Sequence, residues 1–181
     1  KYRAFQGKYP VIFISFKDVK KENWNETYRS IYENISLEFK RHAELNDSQR
    51  NSDYEYYIRI VGGTADQNDL EISLQMLSKM LHDFHGIAPV IIIDEYDTPI
   101  QQGHLRGFYE EVVLFVRNLF SGGLKDNKHL SFGFLTGILR VAKESIFSGL
   151  NNLTINSILD NKYSSYFGFT ADEVLEMARY Y

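Results

Sequence analysis

The stretch that decides the fold is PVIIIDEYDTPI, residues Pro89–Ile100. Its apolar run at positions 90–93 leads directly into two adjacent carboxylates, Asp94 and Glu95, and a third carboxylate follows at Asp97. A short, continuous run of β-branched residues is typical of a strand that is buried on both faces. Carboxylates at the end of such a strand either mark the point where it reaches the surface or form a magnesium and water site.

Two further segments resemble this strand in composition. The segments YPVIFISFKDV, residues 9–19, and HLSFGFLTG, residues 129–137, are short apolar runs rich in β-branched and aromatic residues. They predict two more buried strands, the later of which ends at Thr136. Continuous apolar strands of this kind predict a parallel sheet that is covered by helices on both faces.

Helical periodicity fills the intervals between these strands. Apolar residues recur three and four positions apart in residues 25–45, 69–86 and 107–122. The segment YEYYIRIVGG, residues 54–63, fits either a short strand or a helix that ends at its glycines. Thr170 and Glu173 have the spacing of a capping box, which predicts a last helix. The alternation predicts an α/β fold, a three-layer α/β sandwich with a mainly parallel sheet.

Composition limits the classes of function. The chain has 181 residues, of which 44% are hydrophobic, enough for one domain with a sizeable core. Its net charge of −4 does not favour broad electrostatic capture of nucleic acid. The absence of cysteine excludes disulfides and thiolate metal sites, and it fits a reducing compartment such as the cytoplasm. No apolar run is long enough to span a membrane.

The polar residues at the strand ends suggest a chemistry, because ligands bind at the carboxyl edge of open parallel sheets. An apolar strand that ends in Asp-Glu is the Walker B pattern, in which Asp94 would hold magnesium through oxygen and water. Glu95 would then orient or deprotonate the attacking water. If the strands are neighbours, Thr136 would contact the γ-phosphate or that water. Arg140 would reach phosphate, including the nucleotide of a partner subunit.

Each of these residues also has a structural interpretation that needs no ligand. Many buried strands end in an acid at the surface, as Asp94 and Glu95 would. The Thr136 hydroxyl can bond its own backbone, and Arg140 can be an exposed residue at a helix N-terminus. The pattern of apolar residues followed by Asp-Glu therefore does not identify a magnesium site by itself.

Several motifs together resemble the bacterial AAA-ATPase-like family, whose members are often joined to a C-terminal nuclease-like domain of the PD-(D/E)XK type. The resemblance rests on five stretches: VIIIDEYDTPI, LKDN, FGFLTGILRVAKESIFSGLNNL, SILD and FGFTADEV. It runs from about Tyr9 to the end of the chain. The block from Thr136 to Leu153 is far more specific than the Walker B pattern.

The resemblance implies the P-loop NTPase fold, in the branch that has an additional strand and a catalytic glutamate. By position, it implies that Asp94 is the magnesium residue, Glu95 the catalytic glutamate and Thr136 the sensor. Asp97 belongs to the family's Asp-Glu-Tyr-Asp signature, and we expect it either to support the metal shell or to brace the loop. The resemblance also favours a helix for residues 54–63. The implied cofactors are magnesium and ATP.

One part of the family pattern is missing, because no G-x-x-x-x-G-K-[ST] stretch occurs in the sequence. That loop supplies the backbone N–H groups and the lysine that hold phosphates. The chain begins with Lys1 rather than Met, and we expect it to start after the loop, so that the fold is incomplete at its N-terminus. We expect one partial domain over residues 1–181, with an α/β core over 1–169 and the start of a C-terminal helical region at 170–181. Alone, this chain is expected to be inactive.

Three functions remain open at this stage. The first is magnesium-dependent ATP hydrolysis by a larger bacterial protein. The second is a non-catalytic interaction or regulatory module with a degenerate NTPase fold. The third is a magnesium-dependent nucleic-acid enzyme that uses Asp94, Glu95 and Asp97 as direct ligands. The expected partners are ATP, nucleic acid through a separate nuclease-like domain, and further copies of the same chain in a homo-oligomer. No membrane partner is expected.

Overall fold

The computed structural model of the protein describes residues 2–47, 49–138, 153–157, 160, 162–163 and 168–180. The chain consists of two compact units, Lys1–Leu150 and Asn151–Tyr181. In the described part of the first unit, the strands and helices in chain order are β1 Val11–Ser15, α1 Trp24–Arg41, α2 Tyr54–Gly62, α3 Gln67–Glu71, α4 Ser73–His85, β2 Val90–Asp94, α5 Thr98–Arg106, α6 Tyr109–Leu124 and β3 Phe132–Leu135. Short 3-10 helices occupy Tyr2–Ala4 and Ala43–Leu45. The sequence RVAKESIFSGL, residues 140–150, predicts a further helix, and this segment lies outside the described residues.

The sheet is parallel, with the strand order β1-β2-β3. The strand that carries the Asp-Glu motif, β2, is therefore central. Ser15 is the pairing partner of Asp94, and Ile92 pairs with Phe13 on one side and Phe134 on the other. The predicted α/β class and the parallel sheet are both confirmed.

The two faces of the sheet differ in burial. One face turns four isoleucines into the core, each at most 3% exposed: Ile12, Ile14, Ile91 and Ile93. On the opposite face Phe13, Phe132 and Phe134 are 47%, 61% and 47% exposed. The prediction that the third strand is buried is therefore wrong. An apolar run shows that a segment pairs as a strand, but it does not show whether an element covers each face.

Helix α1 closes the outer edge of β1. The backbone N–H of Phe13 donates a hydrogen bond to Glu38 Oε1 at 2.8 Å, and Arg41 Nη2 donates to the carbonyl oxygen of Val11. Glu38 is 5% exposed, and Arg41 Nε donates to its Oε2 at 2.8 Å. These bonds satisfy backbone groups that an edge strand would otherwise present to other chains.

Within the described residues the predicted helices form, with two differences: one is divided into two helices, and another extends beyond its predicted end. Tyr54–Gly62 is helical, as the resemblance implied for this segment, and Gly63 caps the helix with a positive φ of 78°. The segment predicted as one helix over 69–86 is divided into α3 and α4 at Ile72. The Ser73 hydroxyl donates to the Leu70 carbonyl at 2.7 Å, a local bond that competes with continuous helix.

The second helix that differs is α6, which continues through the glycine predicted to end it and reaches Leu124. A Cβ on Gly123 would lie 2.7 Å from Leu74 Cβ, whereas a Cβ on Gly122 would have its nearest neighbour at 3.5 Å. Gly123 therefore permits close packing of α6 on α4 and does not end the helix.

The described part of the second unit contains helix α7, Ala171–Tyr180. Its predicted capping box is present, because the Glu173 N–H donates to Thr170 Oγ1 at 3.3 Å and Glu173 Oε2 accepts from the Thr170 N–H at 2.7 Å. In the ranges that the structure describes, no helix combines the length and the apolar character that a membrane crossing requires.

Candidate functional site

The site is built around Asp94, the last residue of the central strand. The parallel register sets Ser15, the last residue of β1, beside it. Thr136, the residue after β3, lies on its other side, and its N–H donates to the Ile93 carbonyl at 2.9 Å. The carboxyl ends of the three strands thus bring two hydroxyls and a carboxylate to one edge of the sheet.

Both oxygens of the Asp94 carboxylate accept hydrogen bonds from these hydroxyls. Ser15 Oγ donates to Oδ2 at 3.3 Å, and Thr136 Oγ1 donates to Oδ1. The carboxylate is only partly exposed. Hydrogen bonds on both oxygens fix its orientation. Each hydroxyl oxygen keeps a lone pair for water or a cation, although Ser15 Oγ also accepts a bond from the Lys17 N–H at 3.4 Å.

Ser15 was missed by the sequence analysis. The only available signal was its place as a small polar residue at the end of the apolar run VIFIS. Its carbonyl oxygen also accepts a bond from Asn34 Nδ2 at 3.1 Å, which ties the end of β1 to α1. The pairing of Ser15 with Asp94 is visible only once the register of the two strands is known.

Glu95 adopts a backbone conformation that is unusual for a residue with a side chain, with φ at +52°. A non-glycine residue in this left-handed region carries strain, and such strain clusters at functional sites. The conformation turns the chain from β2 towards α5. Thr98 Oγ1 donates to Glu95 Oε2 at 3.2 Å, so one carboxylate oxygen is held within this turn.

Asp97 is buried, with 1% of its surface exposed. Its Oδ2 accepts a hydrogen bond from Gln101 Nε2 at 2.7 Å and another from the backbone N–H of Ile138 at 3.1 Å. The carboxylate therefore joins the start of α5 to the chain that follows β3. The structure does not test its predicted role as a magnesium ligand.

The donor set at the edge of the sheet suits a hard cation. Asp94, Glu95 and the two hydroxyls of Ser15 and Thr136 offer oxygen atoms, which are the ligands that magnesium takes in proteins. Among the described residues, no group of three or more acidic or histidine side chains is arranged to hold a metal. Oxygen donors of this kind match the ligand preference of magnesium, whose remaining ligands would be water. The remaining predicted site residue, Arg140, lies outside the described residues.

Comparison with known proteins gives the family. The family model described as "Predicted AAA-ATPase" matches residues 1–147. An uncharacterized protein in the vnfD 5' region of Azotobacter chroococcum mcd 1 is 36% identical over 99 residues, which cover 54% of this chain and 19% of that protein. No solved structure matches the chain. Because the family model extends over more than half of the sequence and includes both the Asp-Glu motif and Thr136, this chain belongs to the AAA-ATPase-like family of predicted AAA-ATPases.

Proposed function

We propose that this chain is the larger part of a magnesium-dependent, ATP-hydrolysing domain in a larger cytoplasmic protein. The observation that carries the proposal is the arrangement at the end of β2. Asp94 is held by one hydroxyl from each neighbouring strand. The next residue, Glu95, lies in a strained turn at the same edge. Family membership supports nucleotide binding.

In this proposal Asp94 holds magnesium, mainly through water. When bound, the ion would neutralise charge on the β- and γ-phosphates. Ser15 and Thr136 keep the carboxylate in one orientation, so the protein does not have to reorganise it when the cation arrives. Preorganised groups of this kind contribute more to catalysis than mobile ones.

Glu95 is proposed to orient the attacking water and to accept its proton. It lies in the turn between β2 and α5 with a positive φ, and Thr98 restrains one of its carboxylate oxygens. Thr136 is proposed as the sensor that detects the γ-phosphate or the same water, and Arg140 as a further phosphate contact. Asp97 is left out of the proposed metal shell, because its buried Oδ2 already accepts two hydrogen bonds.

The proposal requires a phosphate-binding loop that the printed sequence does not contain. We propose that this loop and its strand belong to the upstream part of the protein and complete a three-layer P-loop NTPase fold. A nuclease-like domain that contacts nucleic acid and assembly into a homo-oligomer are further proposals from the family resemblance. If the loop is degenerate, the chain is better explained as an interaction module.

The direct nucleic-acid enzyme receives less support. That function needs Asp94, Glu95 and Asp97 to converge on a metal. Within the described ranges no cluster of three such side chains is arranged for metal binding. Asp97 is also engaged with Gln101 and with the backbone of Ile138.

The test is ATP turnover by the full-length protein, compared with that of Glu95→Gln. Glutamine keeps the shape of the side chain but cannot accept the proton. We expect turnover to fall by about 100-fold or more, while binding of a fluorescent ATP analogue is retained. Glu111→Gln is the control, because Glu111 is an exposed glutamate on α6. A wild-type protein that neither binds nor hydrolyses ATP would leave the interaction module as the better explanation.

A further inference from the structure

The chain that follows β3 lies directly against the turn that follows β2. The Tyr96 N–H donates to the carbonyl oxygen of Thr136 at 3.1 Å. The Ile138 N–H donates to Asp97 Oδ2 at 3.1 Å. The consecutive residues Tyr96 and Asp97 thus bond to the two residues on either side of Gly137.

Gly137 has no space for a side chain. A Cβ at this position would lie 2.7 Å from Asp97 Oδ1 and 2.8 Å from Tyr96 Cε1, which is closer than Cβ atoms approach other heavy atoms. The chain therefore contacts the Asp97 carboxylate through one oxygen by a hydrogen bond and lies against the other by close approach. The gap between Gly137 and Asp97 leaves no space for a side chain, and movement of the chain away from Asp97 breaks the bond to Ile138.

The position of Asp97 is itself fixed. It is 1% exposed, and Gln101 Nε2 donates to its Oδ2 at 2.7 Å from the next turn of α5. A buried carboxylate is tolerated only when hydrogen bonds compensate for its lost hydration. This requirement keeps Asp97 in place, and Asp97 in turn keeps the segment that carries Thr136 in place.

We propose that Asp97 is a positioning residue that acts through Thr136. Its carboxylate fixes the backbone at Gly137 and Ile138, and this places the Thr136 hydroxyl on the Asp94 carboxylate. The second aspartate of the Asp-Glu-Tyr-Asp sequence thus determines the position of the sensor without contacting the metal. The kinetic part of this inference rests on the proposed ATPase function, whereas the structural part does not.

The experiment compares variants of the full-length protein by two measurements. The first is amide hydrogen exchange at Ile138, resolved by fragmentation of the peptide that contains it. The second is ATP turnover, with kcat and KM determined separately. In Asp97→Ala we expect exchange at Ile138 to become about tenfold faster, the effect of losing a hydrogen bond to a charged group. We expect kcat to fall by about 100-fold through misplacement of Thr136, with little change in KM for ATP.

Three variants separate positioning from other roles. Asp97→Asn retains an acceptor oxygen, so we expect it to restore part of both properties. Gly137→Ala should reproduce the loss of kcat by displacing the chain while Asp97 is intact. If Asp97→Ala does not fold, this variant still tests whether the segment at Gly137 positions Thr136. Gln102→Ala is the matched control, because it truncates the same type of side chain one residue further along α5 and should leave exchange at Ile138 near the wild-type rate.

Several results would overturn the inference. Unchanged exchange at Ile138 in Asp97→Ala would show that the carboxylate does not hold this segment. Faster exchange with unchanged kcat would show that the segment does not position Thr136. Mn²⁺ binding by Asp97→Ala is measured in addition. A loss of Mn²⁺ affinity while the Ile138 amide still exchanges slowly would make Asp97 a metal ligand. If the wild type does not hydrolyse ATP, the proposed function fails, but exchange at Ile138 still decides whether Asp97 holds the chain.

Discussion

Thr136 Oγ1 donates a hydrogen bond to Asp94 Oδ1, and this bond joins the end of β3 to the end of the central strand. Thr136→Val removes the donor and keeps the shape of the side chain. We expect it to lower the free energy of unfolding by about 1.5–3 kcal/mol, since the acceptor is a carboxylate. It should also reduce ATP turnover by the full-length protein.

Thr136→Ser is the control for this prediction, because serine retains the hydroxyl. Urea unfolding measures the stability of each variant. Equal stability and equal turnover in the valine and serine variants would show that the hydrogen bond has no role in the site.

Because Glu95 has a positive φ, glycine should be more stable than alanine at this position, the reverse of their order in a helix. At this position Glu95→Gly should be more stable than Glu95→Ala by about 1 kcal/mol, because glycine has no Cβ to clash in the left-handed region. At an exposed helical position the order is reversed, with glycine about 1 kcal/mol less stable. The same pair of substitutions at Glu111 on α6 is therefore the control. Alanine equal to or better than glycine at position 95 would rule out the strained turn.

The adjacent glycines of α6 should respond to alanine in opposite directions. A Cβ on Gly123 would lie 2.7 Å from Leu74 Cβ, so we expect Gly123→Ala to destabilise the protein by about 1–3 kcal/mol. The nearest neighbour of a Cβ on Gly122 is the Glu71 carbonyl oxygen at 3.5 Å. Gly122→Ala should therefore stabilise the helix by up to about 1 kcal/mol. Thermal unfolding of both variants tests the packing of α6, which would be incorrect if both shift in the same direction.

The Glu38 carboxylate makes the stability of the fold dependent on pH. Burial alone would raise the pKa of Glu38, but hydrogen bonds from Arg41, His42 and the Phe13 N–H outweigh it and hold the pKa below its usual value of 4.5. Because the folded-state pKa is depressed, this stabilisation is present above about pH 4.5 and is lost as the pH falls through the folded-state value.

Glu38→Gln should therefore destabilise the protein at pH 7, by about 1.5–3 kcal/mol, and the difference from wild type should shrink as the pH falls below 4.5. Urea unfolding between neutral and acidic pH measures this difference. Glu33→Gln on the exposed face of α1 is the matched control. A difference that does not change with pH would mean that charge on Glu38 does not hold the edge of β1.

The sequence was sufficient to predict the alternation of strands and helices and the position of Asp94 and Glu95 at the carboxyl end of a strand. The spacing of apolar residues follows the period of the backbone. The helical spacing of Leu70, Leu74 and Leu81 therefore predicted one buried face, and all three are buried. Asp94 and Glu95 could be located because they follow the central strand without interruption. The resemblance supplied the helix at residues 54–63, which periodicity left open.

The remaining features depend on how separate segments meet. Ser15 was not identified because its partnership with Asp94 follows from strand register, which the pattern of one strand does not contain. The bond of Asp97 to the backbone of Ile138 joins two parts of the chain that are 41 residues apart in sequence. The exposure of Phe134 has the same origin, because it depends on what packs over the strand.

Helix α1 covers the outer edge of β1, so that an additional strand would join the sheet at β3. Three backbone groups of β1, namely the Phe13 N–H and the carbonyls of Val11 and Ser15, are already bonded to side chains of α1. A further strand, from this protein or from another molecule, would therefore have to pair with β3. It would lie next to the segment that carries Thr136 and would extend the row formed by Phe13, Ile92 and Phe134. Any enlargement of the sheet would then bring new residues towards the Asp94 site.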